Sequence, residues 1–185
     1  MASENEQTKQ LQKQIEFHNL FTLREEIRVQ LFIFGEVFMI IEVNVDNIAS
    51  AAKIHSESWK ESHKKICKTD FLEQHTVEHQ EKYLRSEIKA GKKVYMLVEI
   101  KPLGIVSIYG SLIENLYVLP NEQHNGYGTK LLLFAMHQCS ETPILWILEN
   151  NHKAYSLYFK HGFKKTGTKN RLSDNLSEIE MKFTN

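Results

Sequence analysis

The sequence predicts a mixed α/β fold: a centrally antiparallel sheet of about seven strands, flanked by about four helices, behind an N-terminal helical extension. Three observations predict it. From Met39 onward, short apolar and β-branched runs alternate with longer stretches whose apolar residues recur every three or four positions. Three successive strand-like runs are joined only by "KPLG" and "GSL", connections that suit hairpins and so antiparallel pairing. Helical stretches separate the later runs, which allows parallel neighbours there.

Residues 1–36 make up the extension. They are rich in Glu and Gln and hold no Gly or Pro before Gly35. Leu20, Leu23, Ile27, Leu31 and Phe34 fall on one face of an amphipathic helix, while the first ten residues are expected to be disordered. The domain proper spans residues 37–185. "MIIEVNV" reads as its first strand. Asp46 is placed to cap the next helix, whose inward stripe is Ile48, Ala51, Ala52, His55 and Trp59. Residues 60–75 are polar, basic and irregular. "VEHQEKYLRSEIKAG" is a second helix, with Val77, Leu84 and Ile88 on one face and Gly91 as its stop. The strands "VYMLVEI", "GIVSIYG" and "IENLYVL" follow. After a glycine turn comes a helix with Leu131, Leu132, Ala135 and Cys139 inward. "ILWIL" is a buried strand, "NNHKAYSLYFKHG" a helix ended by Gly162, and "FKKTGTK" and "SEIEMKF" two closing strands.

Composition narrows the partners. Lys and Arg together number 23, as do Asp and Glu, so the net charge of zero offers no bulk attraction to nucleic acid or an anionic membrane. Cys67 and Cys139 lack metal-site or disulfide spacing, which fits a reducing cytoplasmic compartment. The N-terminus does not read as a secretory signal. The apolar stretch "LFIFGEVFMII" is well short of the roughly 20 residues that span a bilayer. A soluble protein is expected.

The turn "QHNGYG" (residues 123–128) carries the first functional signal. A turn that opens a helix exposes several amides, and the helix dipole adds about half a positive charge, which together suit a phosphate. Gly126 and Gly128 let a ligand approach the backbone, and Thr129 adds a hydroxyl. The two common nucleotide loops do not fit: "GYGTK" lacks the Walker spacing, and Leu131 stands where a dinucleotide loop has its third glycine.

Gln123-x-x-Gly126-x-Gly128, preceded by "ENLYVLP", closely resembles the coenzyme A loop of the GCN5-related N-acetyltransferase (GNAT) family. Asn151, Ala154, Tyr158, Gly162 and Phe163 resemble the same family's second signature, and the resemblance extends over residues 39–183. It implies a sheet opened into a V between its fourth and fifth strands, with acetyl-CoA as cosubstrate entering that opening and no metal. The pyrophosphate would lie on the amides of Gln123, His124, Asn125, Gly126, Tyr127, Gly128 and Thr129. The pantetheine arm would run along Leu116, Tyr117 and Val118. The family often has Arg where this chain has Gln123, so one charge-assisted phosphate contact is lost, for which Lys130 is a possible substitute. A homodimer is also implied.

Acetylating an alkyl amine with a pKa near 10.4 at neutral pH costs ~4.6 kcal/mol of deprotonation, so a base is useful. Glu114 is the candidate, placed on the same strand face as Val118 by simple alternation. The Val118 amide looks like the donor to the thioester oxygen. Asn151, Ala154 and Tyr158 share a helical face. Asn151 would bond the pantetheine, Ala154 would leave room for it, and Tyr158 would act as general acid towards the sulfur, with Tyr155 as the fallback. The acceptor would be a small-molecule or peptide amine, bound near Trp59, His63, Phe71 and the basic run Lys60 to Lys68. Two other readings exist: a non-catalytic acetyl-CoA-binding or partner-docking module, and a zinc site at "HTVEH". The zinc reading is disfavoured because His75 precedes its helix and no third ligand is evident.

Overall fold

A computed structural model describes residues 38–173 and 176–184. The N-terminal extension and its predicted stripe lie outside the described residues.

The chain runs β1 (Met39–Glu42), α1 (Ile48–His63), α2 (Thr69–Glu73), α3 (Val77–Lys89), β2 (Lys93–Val98), β3 (Pro102–Tyr109) and β4 (Leu112–Val118). A short 3₁₀ turn (Pro120–Glu122) leads to α4 (Tyr127–Gln138), then β5 (Ile144–Leu148), α5 (His152–Lys160), β6 (Phe163–Ser173) and β7 (Leu176–Phe183). The strands form one seven-stranded sheet in the order β1-β2-β3-β4-β5-β7-β6. All neighbours are antiparallel except β4 and β5, which the α4 crossover makes parallel. The predicted mixed, centrally antiparallel fold is therefore the one observed.

Each face of the sheet buries its own core. Ile48, Ala51, Ala52 and Ile54 of α1 and Leu84 of α3 pack on Val94, Met96 and Ile105. Leu131, Leu132, Phe134 and Ala135 of α4 and Tyr158 of α5 pack on the other face against Leu103, Ile113, Val118 and Leu145. Two local readings need correction. The α1 cap is Asn47 rather than Asp46, because the Asn44 side chain takes the Asp46 amide and turns the chain one residue later. The stretch predicted as irregular holds the end of α1 and all of α2. Cys139 ends α4, where its half-buried thiol points to the Ser111 carbonyl at 3.6 Å.

Candidate active site

β4 and β5 share only two residue pairs, Leu112 with Ile144 and Ile113 with Leu145. Beyond them Glu114–Val118 stays paired with β3, and Trp146–Leu148 with β7, so the sheet opens between the two. A bulge in β4 lies at the start of the opening. The step from Ile105 to Ser107 on β3 faces the longer step from Tyr117 back to Glu114, which leaves one extra residue on β4. Asn115 takes the left-handed conformation, with φ of 48°. An extra residue bends a strand and increases its twist, which explains why β4 leaves β5 here.

The bulge also overturns the alternation that put Glu114 and Val118 on one face. Glu114 pairs with Ser107 and Tyr117 with Ile105, two residues apart on β3 and therefore on the same face. Val118 pairs with Gly104 on the opposite face, among the residues under α4 and α5. Glu114 thus faces α1 and α3. Its carboxylate is bound by the Lys92 ammonium, which also binds Glu87. Burial opposes the charge on Lys92, but the two carboxylates outweigh it and hold the ammonium well above the usual lysine range.

The main chain of β4 faces the opening in a regular way. The Leu119 amide donates to the Leu103 carbonyl on β3 at 2.9 Å, so alternation turns the Val118 amide and carbonyl away from β3. That carbonyl accepts from Ser58 Oγ at 3.2 Å and from Gln123 Nε2 at 3.3 Å. The Gln123 side chain therefore ties the glycine turn to the end of β4.

Gly126 caps α4 with φ of 82°, and His124 just before it has φ of 70°. The first bond that closes the helix runs from the Lys130 amide to the Gly126 carbonyl at 3.0 Å, so the Gly128 and Thr129 amides precede the ladder. A Cβ on Gly126 would meet nothing within 4 Å, so the space over the turn is open. The β2–β3 hairpin braces the turn. The Tyr127 phenol donates to Glu99 Oε2 at 2.9 Å, and Lys101 pairs with Glu122 at 2.6 Å. The Lys130 ammonium lies 4.2 Å from the centre of the Phe38 ring.

On the far side, Asn151 caps α5 by accepting from the Ala154 amide at 3.1 Å, so its carbonyl oxygen serves the helix rather than standing free for a ligand. Tyr158 is 8% exposed and packs beside Phe163, and burial pushes its phenol up to about 12. The Tyr117 phenol is raised as well, first by burial and then by the charge Tyr158 would carry. Tyr155, only partly buried at the core's edge, stacks on Phe159 under the Lys165 ammonium. Of the two candidate tyrosines, Tyr158 is the inward one.

At the end of α1, Trp59 lies between His63 and His75, with ring centres 4.0 and 3.5 Å away, and Phe71 meets it edge-on. His75 also directs Nδ1 at the Phe71 carbonyl, 3.0 Å away, so it is held in this aromatic stack. A groove of about 370 Å³ lies alongside, lined by Glu57, Glu61 and Glu73, Lys60 and Lys64, with Pro120 at the glycine-turn end. The two lysines of the basic run thus meet three carboxylates there. Among the described residues, no group of three or more His, Cys, Asp and Glu side chains is gathered as metal ligands would be.

Sequence reasoning read His55 only as part of the inward stripe of α1 and missed Lys92, Tyr83 and Asn115. The last left a trace, since an Asn inside an apolar strand disfavours the ladder and tolerates a positive φ.

Residues 90–165, which hold β4, the glycine turn and α5, match the acetyltransferase (GNAT) domain family. The structure is similar to PaiA N-acetyltransferase from Thermoplasma acidophilum in complex with coenzyme A, with a TM-score of 0.62 at 19% identity, over 80% of this chain and 99% of that one. It is also similar to a GCN5-related N-acetyltransferase from Rhodopseudomonas palustris, with a TM-score of 0.64 at 17% identity, over 84% of this chain and 100% of that one. The putative acetyltransferase yncA from Salmonella typhimurium, solved with its cofactor acetyl-CoA, matches with a TM-score of 0.58 at 18% identity, over 79% of this chain and 92% of that one. The sequence match over β4, the turn and α5 is to the GNAT acetyltransferase domain, and the fold is the one these GNAT structures share.

Proposed function

We propose that this protein is an acetyl-CoA-dependent N-acetyltransferase acting on a primary amine by direct attack in a ternary complex. The observation that carries the reading is the parting of β4 from β5 beside the start of α4, which no side chain caps, with Tyr158 buried in the core under that face. Acetyl-CoA supplies the acetyl thioester. The backbone from Gln123 through Thr129 would hold its pyrophosphate at the helix start, where the dipole favours an anion. Leu116, Tyr117 and Val118 would pair with its pantetheine, and the small Ala154 would leave it room. The neighbours with coenzyme A and acetyl-CoA support this placement.

The reaction forms an N–C bond and breaks the C–S bond. One proton leaves the amine nitrogen and one reaches the departing sulfur. Glu114 is assigned the first. A carboxylate offers about four lone-pair sites, so its pairing with Lys92 leaves room for an acceptor ammonium or a relaying water. Tyr158 is assigned the second. With its phenol raised to about 12 it is fully protonated at neutral pH, so it serves the thiolate as a hydrogen-bond donor before it serves as an acid. The Val118 amide would stabilise the developing oxyanion. The mixed-charge groove beside α1 is the proposed route for the amine.

The test is release of free thiol from acetyl-CoA across a panel of small-molecule and peptide amines. Turnover is expected on at least one of them, and Tyr158→Phe should reduce it by about 10²-fold while leaving acetyl-CoA binding within a few-fold. Tight binding with no turnover on any amine would favour the second reading, a non-catalytic acetyl-CoA-binding module. The engagement of Glu114 by Lys92 is the observation on that side.

A further inference from the structure

The bulge in β4 is held by side chains from both helices that cover its face. Asn115 Oδ1 meets His55 Nε2 from α1 at 3.3 Å. Asn115 Nδ2 donates to Tyr83 Oη from α3 at 3.1 Å and to Ser107 Oγ on β3 at 3.4 Å. Since Oδ1 can only accept, His55 presents Nε2–H to it. His55 is 4% exposed and further confined by the Tyr117 ring edge-on at 5.1 Å and the Tyr83 ring at 5.5 Å. Tyr83 continues the chain of bonds to Glu87, and Glu87 through Lys92 to Glu114. One amide side chain therefore joins α1, α3 and β3 to the residue whose left-handed backbone creates the bulge.

We propose that Asn115 is a positioning residue: its side chain, held by His55 and Tyr83, sets the bulge and so aims the Val118 amide at the acetyl carbonyl. The inference rests on the acetyl-CoA site described above. The physical reason is that a bulge is a local choice among nearly equivalent ladder registers, and a one-residue slip redirects every group beyond it. Three side-chain bonds to Asn115 select one register. The consequence is specific, because the phosphates and pantetheine would be held largely by the turn and by extended backbone, whereas the acetyl oxygen depends on the direction of a single amide.

The experiment compares acetyl-CoA with CoA, which lacks the acetyl group, by calorimetric titration of the full chain without any acceptor. Asn115→Gly keeps the positive φ accessible and removes only the side chain. It is expected to weaken acetyl-CoA by about tenfold, the loss of a hydrogen bond or two, while CoA changes less than about threefold. Tyr83→Phe removes the hydroxyl that Nδ2 bonds and keeps the ring, so it should show a smaller loss of the same selectivity. It carries the test if Asn115→Gly does not fold. Variants that bind both ligands like the parent, or lose both equally, overturn the role of Asn115. A parent protein that binds neither ligand overturns the acetyl-CoA site itself, which is a different outcome.

Discussion

The Lys92 ammonium grips the carboxylate of Glu114, the residue assigned to receive the acceptor's proton. Lys92 is also bound to Glu87, and its side chain is only 15% exposed, so one cation holds two carboxylates side by side. Its raised pKa keeps it charged throughout the physiological range.

If Glu114 receives the proton, Glu114→Gln lowers kcat by about 10²-fold and leaves acetyl-CoA binding unchanged. Lys92→Met leaves Glu87 and Glu114 facing each other without a cation and lowers the melting temperature. Steady-state kinetics and a thermal melt check the two. A Glu114→Gln enzyme as fast as the parent would remove this residue from the chemistry.

The turn makes a separate demand at Gly126. With φ of 82°, any L-residue there is strained by roughly 1–2 kcal/mol, although a methyl group would touch nothing within 4 Å. Gly126→Ala is therefore expected to distort the start of α4 and weaken CoA by about five- to thirtyfold, measured by titration. Equal affinity in parent and variant would show that the turn does not hold the ligand.

Gly104 makes a different demand, one of space. A Cβ there would stand 2.7 Å from the Tyr117 carbonyl and 2.8 Å from Leu131 Cδ1. Gly104→Ala must push β4 or α4 aside, and a loss of about 1–3 kcal/mol is expected in denaturant titration. The same displacement reaches the strand proposed to hold pantetheine, so acetyl-CoA binding should weaken as well.

Acid should loosen the fold through His55 and His63. Burial is the main cause that holds both imidazoles below the ordinary histidine value. The unfolded chain takes up protons near pH 6.5, while these sites in the folded chain do so only at lower pH. Between the two values the unfolded state binds more protons, so stability is full above about pH 6.5 and falls as pH drops below it. Melting temperatures between pH 8 and pH 5.5 should show this decline, and His55→Gln should make it shallower. An unchanged slope in that variant would remove His55 from the effect.

Much of the architecture was legible because it depends on neighbours along the chain. Hairpin-length links specified the antiparallel centre, and the glycine turn marked where α4 begins. Helical periodicity brought Ala154 and Tyr158 to one side of α5. The sequence alone determined these features because each arises within a few residues. The tertiary structure decided the face on which Glu114 stands, its capture by Lys92, and the partners of Asn115. Alternation predicts a face only along an unbroken ladder, and whether a ladder breaks depends on how β3 and two helices meet β4. His55 lies 60 positions from Asn115, and Lys92 lies 22 from Glu114, distances over which no periodicity carries information. Only the folded sheet brings those groups together.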